Sequence, residues 1–539
     1  MKQLKKEIKL SASLVLAATM LLAGCSSGGS STAPNQTPGS DTAAPAKQTK
    51  LRVMIYDRGN APASMKLDDS PLIQWTKDEV KKLGIDLEFA TVPRGEAEDK
   101  LNVWLASGQA PDIIFTYGQD TLFRYADQGG IWELDDLLKK NGQQLLAHNK
   151  AAFDQVGKYK GKTYSVPMLR GNPHVGPIFK IRQDWLDKLG MKAPTTVDEL
   201  YTVLKAFKEQ DPGGVGKDKV VPWAFPAIGK AFLYNIGLSY GIMNDGTNNG
   251  TDMLGGNLVD GQFVSNVALP QAKEMFLFLN KLYKEGLLPK EFATDVNAQQ
   301  YNQYIATGTA GFVDSNDTST TLTDKTMKAV PNARWVVLDP LKRKDGTQAM
   351  MSNPSYGMFI MIPKSSKQEQ AEAAIKYLNW MANDKVIANV QSGLEGVHWK
   401  LQDGLRIPID PEKYSREVSW FAQDLAIVQQ GQPPAKKEEL RKKAESAKYF
   451  DPEYSATENF RITELFQKYG KAEPMLSMPR PFSQKNKDTI AKLLNDSFSK
   501  IIISNDPAKE YDAMLAAWEK IGGREYDKEM TQALQQLKQ

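Results

Sequence analysis

The sequence predicts an α/β protein with more than one lobe and a largely helical C-terminal part. Three observations predict it. Residues 51–117 alternate strand and helix patterns, strand-like runs at 334–340 and 355–363 are followed by a further helical run, and from about residue 410 nearly every periodic stretch is helical. A length of 539 residues exceeds one typical domain. With 41% hydrophobic and 24% charged residues, the composition is that of a globular chain.

Taken in order, the chain starts with Lys2, Lys5, Lys6 and Lys9, then an apolar run from Leu10 to Ala23. That run is shorter than the roughly 20 residues of a spanning helix. A basic start, a short apolar middle and small residues before a break describe an export signal, residues 1–24. The chain's single cysteine, Cys25, follows Leu22-Ala23-Gly24 directly, and no intramolecular disulfide can form. The signal holds four Lys and Glu7, so it carries +3 of the formal +4 charge. The remainder is close to neutral, and nucleic acid is not an expected partner. Residues 26–50 hold no aromatic residue and no Leu, Ile, Val or Met. They cannot bury enough apolar surface to offset ordering entropy. Residues 25–50 therefore read as a tether, its flexible run reaching roughly 25–30 Å.

LRVMIY (51–56) is a buried-strand signal after polar linker. Residues 70–84 look helical, with Ser70 to cap, Pro71 in the first turn and Gly84 to stop. IDLEFATV (85–92) alternates as a strand. Residues 95–108 repeat the helix pattern with Leu101, Trp104 and Leu105 on one face, and PDIIFTY (111–117) is a third strand. Strand–helix–strand–helix–strand makes a parallel unit with right-handed crossovers. Ligands bind such sheets beyond the carboxyl ends of the strands. Those ends carry Tyr56, Asp57, Arg58, Gly59 and Asn60, and Tyr117, Gly118, Gln119 and Asp120. The alternative for Asp57 and Arg58 is an ion pair or a helix cap.

Residues 195–210 form a helix, with Thr196 and Glu199 spaced as a capping box and Val197, Leu200, Leu204 and Phe207 on one face. Residues 268–288 are a second helix. Residues 309–317 read as a short strand entering a polar loop at Asp314, and 369–383 as a helix.

Catalytic patterns fail on context. Gly237-Leu238-Ser239-Tyr240-Gly241 matches G-x-S-x-G, but turn residues follow it where a nucleophile elbow needs a helix. Residues 157–163, GKYKGKT, have three intervening residues where a phosphate loop needs four. His148, His174 and His398 are scattered, and H-E-x-x-H is absent. Paired-carboxylate glycosidase chemistry stays open, because carboxylates are too common to discriminate.

The segments LAGC, GQAPDIIF, GKTYSVP, DWLDKLGMKAPTTVDELYTVLKAFKEQDP, TAGFV, GLEGVHWK and WEKIGGREYDKEM occur in that order along the chain. Together they resemble the extracellular solute-binding proteins of family 1. Those are maltose-binding-protein-like lipoproteins of carbohydrate ABC importers, here of the Gram-positive branch. The resemblance implies a periplasmic-binding-protein-like fold of two discontinuous lobes joined by hinge crossings, with a carbohydrate in the cleft. It implies a non-enzymatic monomer on the extracellular face of the cell membrane, lipidated at Cys25 and delivering cargo to a permease, with no cofactor. Mapped here, lobe 1 is 51–170 and 309–362, and lobe 2 is 171–308 and 363–539. The first crossing falls near Val166–Ile178, the return near Thr309 and a third after 355–363. The expected ligand contacts are Asp57, Arg58, Tyr117, Asp120, Asp314, Trp223, Glu395, His398 and Trp399. Sugars present apolar C–H faces and many hydroxyls, so Trp223 and Trp399 suit a platform. Core packing is the alternative for both, and the expectation for Trp104, Trp335, Trp380 and Trp518. Glu395 and His398 can equally be structural hydrogen-bond partners. Relatives carry a calcium-type loop after the 195–210 helix; here Gly213 and Val215 supply no side-chain oxygen, and no metal is expected.

Overall fold

The computed structural model describes residues 48–536, apart from 172–177, 226–234, 243–254, 296–297, 316–320, 353, 403, 432–434 and 472–479. Cys25, the export signal, His174 and nearly all of the tether lie outside the described residues. The tether's expected end at residue 50 is corrected, because strand β1 (Thr49–Asp57) starts inside it.

The first unit forms as its local signals dictate. Helix α1 (Pro71–Lys81) begins where the Ser70 hydroxyl accepts from the Leu72 N–H at 3.3 Å, a cap of ~1 kcal/mol. Strand β2 (Ile85–Pro93) pairs with β1 in parallel over their full length. Helix α2 (Ala97–Ser107) buries Leu101 and leaves Trp104 and Leu105 partly covered. Strand β3 (Ile114–Thr116) follows, then helix α3 (Gln119–Asp127). A parallel bridge from Val53 to Ile113 ties β1 to the β3 segment.

Strand β4 (Val166–Arg170) belongs to the same sheet. Across the first crossing, β5 (Ile178–Arg182) opens a second sheet. Helix α4 (Val197–Gln210) buries Leu200, Val203, Leu204 and Phe207, and Thr196 caps it through the Glu199 N–H. The Glu199 carboxylate reaches Thr195 rather than Thr196, at 2.7 Å from its N–H, so the box closes one residue early. Strand β6 (Val221–Ala224), short helix α5 (Asn235–Ser239), helix α6 (Pro270–Lys284), β7 (Ala310–Ser315) and β8 (Trp335–Val337) complete this half. The second sheet runs β8-β5-β7-β6, antiparallel except for β7 with β6.

Strand β9 (Tyr356–Met361) returns to the first sheet between β3 and β4, antiparallel to both. Helix α7 (Gln368–Met381), hairpin β10 (Trp399–Gln402) and β11 (Leu405–Pro408), helix α8 (Ala422–Leu425) and strand β12 (Gln429–Gln430) follow. The chain then becomes helical: α9 (Lys437–Ser446), α10 (Pro452–Tyr469), α11 (Pro481–Ile503), α12 (Pro507–Lys520) and α13 (Gly523–Gln536).

Two large apolar cores result, with two small clusters beside them, one around Ile178 and Ile462 and one around Ala224 and Trp335. One large core gathers residues between Leu51 and Met168 and between Tyr356 and Val428. The other gathers residues between Phe179 and Phe312, Leu338 and Leu341, and residues between Ile490 and Ala533. This corrects the expected lobes. Strand β7 does not return to the first lobe near Thr309; it pairs with β5 and β6, and Phe312 packs on Phe179 and Trp223 with ring centres 5.2 and 5.1 Å apart. Nor does the chain cross after 363. Helix α7 buries Ala371, Ile375, Tyr377 and Leu378 in the first core, and the crossing comes after β12. An apolar helix face requires a core, but it does not say which one.

A candidate ligand cleft at the carboxyl edge of the first sheet

Strand directions define the site. β1, β2 and the β3 segment run parallel; β4 is antiparallel to β9, as β3 is, so it shares their direction; β12 is parallel to β4. Five carboxyl ends therefore meet on one edge, carrying Asp57, Pro93, Thr116, Arg170 and Gln430. The connections between the cores leave from this same edge. The Arg170 N–H donates to Ser355 O at 2.8 Å, and the Gly171 N–H to Gln430 O at 2.9 Å. The three crossings thus meet the sheet side by side. A Cβ on Gly171 would meet Gly431 O at 2.6 Å, so the backbones touch where they leave the sheet. Seven Cα steps separate Gly171 from Ile178, a reach of no more than about 25 Å. The edge from which the chain leaves for the second lobe is also the one where an open α/β sheet takes its ligand.

The residues on this edge have distinct partners. Asp57 is exposed, and its Oδ1 accepts the Gly59 N–H at 2.8 Å. Arg58 donates twice to the buried Asp424 of α8, Nε to Oδ2 at 2.5 Å and Nη2 to Oδ1 at 2.7 Å. That hydrogen bond raises the guanidinium's pKa against the lowering effect of burial. Tyr56 packs edge-on against Phe115 at 4.9 Å, and burial pushes its hydroxyl pKa well up. Tyr117 is half-buried; burial raises its hydroxyl, while Arg170, Arg94 and Arg58 pull it back down. Arg170 is held against Tyr356 O at 3.2 Å, and burial lowers its pKa. Gln119 Nε2 donates to the Tyr356 hydroxyl at 2.9 Å. Asp57, Arg58, Gly59, Pro93, Arg94 and Gly95 line an open pocket of about 500 Å³.

Asp120, at the start of α3, is joined to Arg480 at the start of α11, with contacts of 3.3 and 3.1 Å. Helix α3 packs in the first core and α11 in the second. This ion pair therefore bridges the lobes, a role that residue spacing could not reveal.

The remaining expected contacts have structural work. Asp314 is at the crossing-side end of β7, but in the strand and buried rather than in a polar loop. It accepts from Asn235 Nδ2 at 2.8 Å, and burial lifts its carboxyl to about 7 against the pull of Asn235 and of the Asn235 and Ile236 N–H groups. Trp223 is 0% exposed and packs on Phe225 and Phe312, which corrects its expected ligand contact to core packing. Glu395 is exposed in a turn that its N–H closes onto Asn389. The Trp399 indole N–H donates to Gly393 O at 2.6 Å. His398 Nδ1 accepts from the Leu394 N–H at 2.9 Å, and its Nε2 lies 3.3 Å from Glu417; burial lowers its pKa. His398 and Trp399 do line a second pocket of about 230 Å³, with Tyr414, Arg406 and Lys443. Of the other tryptophans, Trp335 and Trp518 are fully buried, while Trp104 and Trp380 only lean on the first core.

The serine of the G-x-S-x-G match is buried in α5, its hydroxyl spent on Asn235 O at 2.7 Å. In the loop after α4, both Asp211 oxygens accept N–H groups, from Val215 and Gly216, and Lys188 Nζ reaches Pro212 O at 2.7 Å. Each carboxylate oxygen thus already accepts one backbone donor.

Two α/β lobes, three adjacent crossings and a polar edge between them define a two-lobed binding protein. The chain belongs to the bacterial extracellular solute-binding protein family, whose model matches residues 76–394. It is 25% identical to Lipoprotein LipO of Bacillus subtilis, over 97% of each chain. It is 26% identical to the polygalacturonan/rhamnogalacturonan-binding protein YtcQ of the same organism, over 97% of this chain and 98% of that one. An extracellular solute-binding protein from Bifidobacterium longum subsp. infantis shares the fold at a TM-score of 0.70 and 21% identity, over 90% of this chain and 98% of that one.

Proposed function

We propose that this chain is the lipid-anchored receptor of a carbohydrate ABC importer, taking up an extracellular oligosaccharide between its lobes without chemical change and delivering it to a permease. The observation that carries the reading is the single edge on which five strand ends and all three crossings converge. A ligand there that also reaches the second lobe has binding energy that can favour closure about the crossings. The polygalacturonan/rhamnogalacturonan-binding relative supports a saccharide cargo. A thermal-shift screen over mono- and oligosaccharides tests it. A ligand at 100 times its Kd stabilises the protein by about 2.7 kcal/mol, and a screen flat across all saccharides refutes the reading. Anchoring through Cys25 is tested by Cys25→Ser, which releases the protein from membranes; membrane partition equal to wild type refutes it.

A further inference from the structure

We infer that the cleft takes an acidic saccharide, one bearing a carboxylate, and that Arg94 is the residue that receives it. The inference rests on the saccharide reading above and names its chemical class. Arg94 follows the end of β2, is exposed, and lines the same pocket as Asp57 and Arg58. Its side chain has no ion-pair or hydrogen-bond partner among the described residues. Two carboxylates of this edge are already held by side-chain donors of the protein. Asp424 takes both donors of Arg58. Asp57, with one oxygen on the Gly59 N–H, stays exposed and lines the same pocket as Arg94 without pairing with it. Glu98 takes the hydroxyls of Thr116 and Thr121. Arg94 is thus left as a cation open to the pocket.

Its setting favours an anion over a hydroxyl. The Tyr117 hydroxyl feels three guanidinium groups, Arg170, Arg94 and Arg58, against Asp424. A neutral sugar needs only hydrogen bonds. A planar guanidinium that faces a pocket matches a carboxylate with two parallel N–H···O bonds. Gly59 and Gly95 flank the pocket and leave room for a ring beside the charged group.

The test uses trigalacturonate and its fully methyl-esterified form as probes, titrated calorimetrically into wild type and Arg94→Gln. Wild type binds the free acid at least 10-fold more tightly than the ester. Arg94→Gln loses about 10- to 100-fold for the acid and less than 2-fold for the ester, with an unchanged melting temperature because the side chain is exposed. Equal affinity of acid and ester, or an Arg94→Gln variant that binds the acid normally, overturns the inference. So does binding confined to neutral oligosaccharides, which leaves the receptor reading standing. A protein that binds no saccharide of either kind removes both.

Discussion

Arg58→Ala is expected to act first on stability. The Asp424 side chain is 2% exposed and receives two guanidinium donors at 2.5 and 2.7 Å; Arg58 itself is 18% exposed. An exposed pair of this kind would be worth under ~1 kcal/mol. Removing one partner of a buried pair leaves an uncompensated charge and costs about 3–5 kcal/mol. Arg58 keeps some solvent contact, so the expected loss lies at the lower end, about 3 kcal/mol. Urea unfolding of Arg58→Ala, Asp424→Ala and the double variant measures it. Each single variant should lose about 3 kcal/mol, and the double variant clearly less than the sum, because deleting both charges leaves neither stranded. Losses under 1 kcal/mol with additive effects would refute the reasoning and return Arg58 to the role of a surface residue free to bind ligand.

Three further outcomes follow from the same geometry. Asp314 titrates near 7 when folded, against ~4 unfolded; the associated stability is full below pH ~4 and lost as pH rises through about 7, amounting to at most about 4 kcal/mol. Asp314→Asn should gain on wild type between pH 5 and 8, and parallel unfolding curves would sink this assignment; Asp527, near 6 through its own burial, is common to both proteins. Breaking the lobe-bridging pair by Asp120→Asn or Arg480→Gln should enlarge the ligand-free radius of gyration in small-angle scattering, whereas an unchanged profile means the pair does not hold the lobes. Trp223→Ala should cost about 3–5 kcal/mol as a core truncation; a stable variant with selectively weakened saccharide binding would instead restore its platform role.

Local chemistry is legible along this chain wherever the signal lies within a few residues. Ser70 and Pro71 start α1, Thr196 caps α4, and β1, β2 and α2 fall where alternation and period place them. The strand ends 56–58 and 117–120 were readable for the same reason, since in a parallel unit each strand end lies next to its own loop. Tertiary structure decided what is joined across hundreds of residues. Phe312 could pack in either core, and pairing with Phe179 and Trp223 chose the second. Arg58 and Asp120 are charged loop residues by sequence; only the fold brings Asp424 to one and Arg480 to the other. Trp399 ends a glycine-rich stretch that reads as open loop, yet it begins strand β10 and its indole N–H closes the preceding turn onto Gly393. Periodicity and caps depend on backbone neighbours, so composition carries them. The partner of a buried face or a charge depends on which distant segment arrives beside it, and that is settled only when the two cores close.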